Sequence, residues 1–114
     1  MARVAAFVPD LLFGSNVIGA LQAAGHEAVL VSAPSSVDPA AVDVLVVDLT
    51  ADAPQRISLV REAGLKHVST LAFYAHVETE VRALAEQAGF DMVVPRSRMA
   101  REGAALVARL AASG

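Results

Sequence analysis

Two aspartates stand where open α/β sheets do their chemistry. Asp48 closes the apolar run Val42-Asp43-Val44-Leu45-Val46-Val47-Asp48, and Asp10 follows the shorter run Val4-Ala5-Ala6-Phe7-Val8-Pro9. A buried parallel strand reads as a nearly continuous apolar run, and ligands of such sheets sit beyond the carboxyl ends of the strands. An acid delivered there can hold a hard cation through its oxygens, or it can simply cap the loop that follows. Ser15 and Asn16 open a helical stretch, where they read first as N-caps. Their sharper reading joins the free N–H groups of that helix with Arg96 or Arg98 as a hold for a phosphate or other anion. Gly14-Ser15-Asn16 is not a nucleotide fingerprint, and the chain has neither a Walker loop nor a complete G-x-G-x-x-G. His26, His67 and His76 fall on separate loops or strand edges with no i, i+4 pairing, which argues against a metal cluster.

Composition narrows the classes further. With 114 residues, 55% of them hydrophobic and 18% charged, the chain has the length and the apolar surface for one packed core and reads as a single domain over 1–114. Nine basic residues are scattered among twelve acidic ones, for a net charge of −3, so no basic stripe is present and no nucleic acid is expected as a partner. Cysteine is absent, which removes disulfides, thiolate metal sites and thiol nucleophiles. Asp, Pro, Gly or His interrupts every apolar run well before the roughly 20 residues of a spanning helix. The opening Met1-Ala2-Arg3 lacks a signal-peptide pattern, so the expectation is an uncleaved, cytoplasmic protein with no membrane segment.

These residues must be positioned by an alternation of strands and helices. Strands are expected over 4–8, 28–31, 42–48, 67–73 and 92–94. A first helix runs from Ser15 to Ala24 on the stripe Val17, Leu21, Ala24, with Gly25 at its carboxyl end. The second crossover is short, with room for one helical turn begun at Asp38-Pro39. A third helix starts from the capping box Asp52-Ala53-Pro54-Gln55 and buries Ile57, Val60 and Ala63 before Gly64. A fourth carries Val81, Leu84, Ala85 and Ala88, and a fifth, capped by Ser97, carries Met99, Gly103, Leu106, Val107 and Leu110. The fold class implied is α/β, a flavodoxin-like, doubly wound five-stranded parallel sheet with helices on both faces and the second helix short or missing.

In this order and spacing the chain resembles, over essentially its whole length, the receiver domains of two-component response regulators. Val44-Leu45-Val46-Val47-Asp48-Leu49 resembles the strand bearing the phosphoacceptor, Leu71-Ala72-Phe73-Tyr74-Ala75-His76 the fourth strand and its switch turn, and Ala88-Gly89-Phe90-Asp91-Met92-Val93-Val94 the approach to the fifth. The resemblance implies an acidic pair holding Mg²⁺, a nucleophilic aspartate, a Ser or Thr after the fourth strand and a Lys after the fifth. Asp48 falls at the phosphoacceptor, but the acidic pair is Pro9-Asp10, Tyr74 falls at the hydroxyl and Pro95 at the lysine. Arg96 follows; with the register slipped by one it would bring a planar fork in place of a compact ammonium.

The expectation that follows is a stand-alone, degenerate, pseudo-receiver-like signalling domain. It is not an enzyme, is phosphorylated poorly or not at all, needs no cofactor, and acts through a protein partner or homodimer. The resemblance places that contact on the fourth and fifth helices and the fifth strand. One alternative is a divergent active receiver in which Asp10 and Asp48 bind Mg²⁺ weakly and Asp48 is phosphorylated. Another is a small-molecule or anion site using Ser15, Asn16, Tyr74 and Arg96, with His76 beside it. Leu11-Leu12-Phe13, between Asp10 and the first helix, either pack under the loop, the reading adopted, or expose a patch that a partner covers.

Overall fold

The computed structural model describes residues 1–113. The strands are β1 (Arg3–Phe7), β2 (Glu27–Leu30), β3 (Val44–Asp48), β4 (Ser69–Tyr74) and β5 (Met92–Pro95), and the α-helices are α1 (Leu11–Ala23), α2 (Ala53–Ala63), α3 (Thr79–Gln87) and α4 (Arg96–Ser113). All strand pairs are parallel, in the order β2-β1-β3-β4-β5. β3 lies at the centre and every one of its residues is buried, as its unbroken apolar sequence requires.

Strand alternation divides the core in two. Ala6, Val44, Val46, Leu71 and Phe73 face Val17 and Leu21 of α1 and Met99, Leu106, Val107 and Leu110 of α4. Ala5, Phe7, Leu45, Val47, Ala72 and Tyr74 face Ile57 and Val60 of α2 and Val81 and Ala85 of α3. The sheet is therefore covered on both faces, with the apolar stripes of the helices buried against it. His26 fastens the lower edge: its Nδ1 accepts the Ala2 N–H at 3.2 Å, which leaves Nε2 to donate to the Ala104 carbonyl at 3.1 Å.

Local chemistry moves several boundaries from those expected. α1 starts at Leu11 and not at Ser15, because the Asp10 carboxylate already accepts the Phe13 N–H at 3.0 Å and caps the helix there. Ser15 and Asn16 are consequently exposed residues inside the helix and not its caps. The second crossover holds a 3-10 turn at Pro34–Ser36 instead of a turn begun at Asp38-Pro39. Pro34 presets the backbone angle of that turn, while the Asp38 carboxylate accepts the Ala40 N–H at 3.0 Å in a competing local turn. With no α-helix between β2 and β3, the two helices expected as fourth and fifth are α3 and α4.

At α2 the helix forms but the capping box does not: Asp52 sits at φ +49° and its side chain makes no cap bond. His67, at φ +69°, lies outside β4, which starts at Ser69 and runs on to Tyr74. Pro95 is the last residue of β5, tolerated because that strand is at the sheet edge, and α4 begins at the next residue. Ser97 is thus within α4 and is not its cap.

Candidate functional site

The carboxyl ends of β1, β3, β4 and β5 form one edge. The register sets Phe7 against Val47, Asp48 against Phe73 and Tyr74 against Pro95, so Asp10, Asp48, Tyr74 and Pro95 all come to this edge. Asp48 is buried at 3% exposure, which makes the partners of its carboxylate decisive. Its Oδ1 accepts the Thr50 N–H at 2.8 Å and the Thr50 hydroxyl at 2.5 Å. Its Oδ2 lies 3.4 Å from Nη1 of Arg56, and the same Nη1 donates to the Asp48 carbonyl at 3.0 Å. Both carboxylate oxygens are engaged by the chain itself.

Asp10 is exposed, and one of its oxygens is committed to capping α1. Next to it Leu11 and Leu12 are 75% and 77% exposed, so of the three apolar residues expected to pack under the loop only Phe13 does so. The Phe13 ring lies 5.1 Å from that of Phe73, and Arg96 places its guanidinium 4.1 Å above the Phe13 ring. That cation–π contact fixes Arg96 on the α1 side of the edge. Tyr74 is buried in the opposite half of the core and His76 is exposed in the turn before α3. Of the residues of the anion-site reading, Asn16 lines a cleft between α1 and α4 together with Phe13, over which Arg96 is stacked, whereas Tyr74 lies in the half of the core across the sheet.

Solved structures share this arrangement of strands and helices. A response regulator receiver domain from Clostridium thermocellum superposes with a TM-score of 0.80 at 12% identity, covering 99% of this chain and 96% of the other. The fold is that of a receiver domain. A response regulator receiver protein from Burkholderia phymatum gives a TM-score of 0.80 at 18% identity, with 98% and 96% covered. A chain from Burkholderia pseudomallei described as pilus assembly-related gives 0.79 at 16% identity, with 98% and 90% covered. No family model matches the sequence, and no curated protein is detectably similar to it. At these identities the receiver fold is common ground among proteins with different descriptions, and the role must be argued from the site.

The receiver fold implies a Mg²⁺ site, and the residues present do not fit one. A magnesium ion needs carboxylate oxygens free to enter a near-octahedral shell. Pro9 offers none, Asp10 caps a helix, and Asp48 already holds two hydrogen bonds and a guanidinium. Among the described residues no group of three or more His, Asp or Glu is placed to hold a metal ion.

Thr50 and Arg56 were not singled out from the sequence, although each left a signal. Thr50 stands two residues after Asp48, the spacing at which an aspartate bonds a following N–H. Arg56 lies three residues after Ala53 and four before Val60, both buried, so a charged residue occupies the apolar stripe of its own helix.

Proposed function

We propose that this chain is a pseudo-receiver, a signalling module that works through protein contacts and does not transfer a phosphoryl group at Asp48. The observation that carries the reading is the pair Tyr74 and Pro95, in register at the ends of β4 and β5. A phosphoryl group in transfer spreads charge over its oxygens, and catalysis consists largely of donors and cations aimed at them. Proline has no donor, and Tyr74 is buried at 4% exposure among residues of the α2 and α3 half of the core. The nucleophile itself is held by Thr50 and Arg56, so an attacking oxygen would first have to be released.

A contact face is the remaining means of signalling, and α3, β5 and α4 supply it in this reading. Val77 before α3 is 75% exposed and Leu84 on α3 is 42% exposed, apolar groups that a protein partner or a second copy would cover. Incubation with acetyl phosphate and Mg²⁺, followed by intact-mass measurement, tests the central claim. The expected outcome is no adduct on the wild-type chain. Stoichiometric labelling that disappears in Asp48→Ala would overturn the reading.

A further inference from the structure

Arg56 is, among the described residues, the one basic side chain within ion-pair reach of Asp48. Its side chain is only 13% exposed and that of Asp48 only 4%, so the pair is shielded from the water and salt that make surface ion pairs nearly worthless. A single nitrogen, Nη1, serves both the carbonyl and the carboxylate of Asp48, while Oδ1 on the other side is closed by Thr50. The backbone is shaped to allow it. Asp52 takes the left-handed conformation at φ +49°, the chain turns into α2, and Arg56 makes an early helical bond, its N–H donating to the Asp52 carbonyl at 3.0 Å. The first turns of α2 are thereby brought over the end of β3.

We infer that Arg56 is the resident counter-ion of this edge: its guanidinium stands in for a divalent cation and holds Asp48 and the start of α2 in one arrangement without metal. The inference rests on the pseudo-receiver reading, since it takes Asp48 as a group that positions and not one that reacts. Arg56 is accordingly a positioning residue. A buried carboxylate deprived of its only cation is left uncompensated, and it is relieved by taking up a proton or another cation from solution. Removing the guanidinium while keeping the carboxylate therefore creates a demand for Mg²⁺ that the wild-type chain does not have. Mg²⁺ is content with one or two carboxylates and water, and the released Asp48 supplies one.

The test follows the backbone amide resonances of Leu49 and Thr50 while MgCl₂ is raised to about 10 mM, a range that covers weak carboxylate sites. Wild type and Arg56→Lys should stay unmoved. Arg56→Gln should show saturable shifts, with an apparent affinity at least about tenfold above wild type, equivalent to 1.4 kcal/mol. Those shifts should vanish in the double variant Arg56→Gln, Asp48→Asn. Asp48-dependent shifts in the wild type would overturn the inference, and so would a folded Arg56→Gln variant that ignores Mg²⁺. Should Arg56→Gln not fold, a folded and Mg²⁺-silent Arg56→Lys beside a silent wild type supports the inference, because the charge is then what the site requires. No phosphodonor enters this experiment, so the two readings fail separately. Acetyl-phosphate labelling of the wild type sinks the proposed function, whereas a silent, folded Arg56→Gln with no labelling sinks only the role given to Arg56.

Discussion

Arg3 and Asp43 close a two-pronged contact at the amino ends of β1 and β3. Nη2 and Nε of Arg3 reach the two carboxylate oxygens at 3.1 and 3.3 Å, and the Arg3 N–H donates to Oδ2 at 2.8 Å. The hydrogen bond from the Arg3 side chain, followed by the one from its backbone, holds the Asp43 carboxyl below the usual carboxylate range, and the same hydrogen bond raises the Arg3 guanidinium. A carboxyl lowered on folding contributes stability in full above its unfolded value of about 3.9, and loses it as the pH falls through the lower folded value. Arg3 stays charged throughout that window. Between about pH 5 and pH 2.5 the wild type should therefore lose more stability than Asp43→Asn, read as the shift of the urea midpoint. Equal losses would mean that the pair contributes nothing. Legibility at this scale depended on neighbours in sequence. Asp48 was readable because its own strand announces the edge, while Arg56 was not, because the contact spans eight residues and a strained turn at Asp52. Ser15 misled because Asp10, earlier in the chain, had already capped the helix.

The two glycines inside α1 separate what a helix wants from what its neighbours allow. A Cβ at Gly19 would meet nothing within 4 Å. Gly19→Ala should raise stability by about 0.5–1 kcal/mol, since alanine restricts the unfolded chain and favours the helix. At Gly14 a Cβ would come 3.0 Å from the Leu30 side chain and 3.2 Å from the Val8 carbonyl, a backbone atom that cannot step aside. Gly14→Ala should therefore lower stability by about 1 kcal/mol despite the same gain in propensity. Urea midpoints of the two variants check both signs, and a stabilising Gly14→Ala would show that β1 and β2 yield at this contact. Sequence periodicity found every one of these strands and α-helices because burial against a two-faced sheet imprints itself on composition. It misplaced their ends, which are decided by single hydrogen bonds such as the Asp10 cap and the Asp38 turn.

Across the whole molecule the sheet is unequally supported. β3 is bordered by β1 and β4 and lies wholly in the core, whereas β2 has four residues, borders only β1, and leaves Val29 59% and Leu30 39% exposed. The 3-10 turn at Pro34–Ser36 is the reason on the α2 side: a full helix after β2 would lie over Val29, and a single turn does not reach it. Local opening costs least where few apolar contacts are broken, so the edge beyond β1 should open without the rest. Native-state hydrogen exchange should find β2 amides at least about tenfold faster than those of Val46 and Val47, a gap of 1.4 kcal/mol or more in opening free energy. The Asp48 end of β3 should remain protected together with the strand, because Arg56 and Thr50 tie it to the helix that follows. Equal protection in β2 and β3 would mean that the sheet opens only as a unit, with the bare edge held as firmly as the centre. A slow β3 beside a fast β2 would instead place the rigid frame of the molecule around Asp48, where a fixed counter-ion has the most to hold.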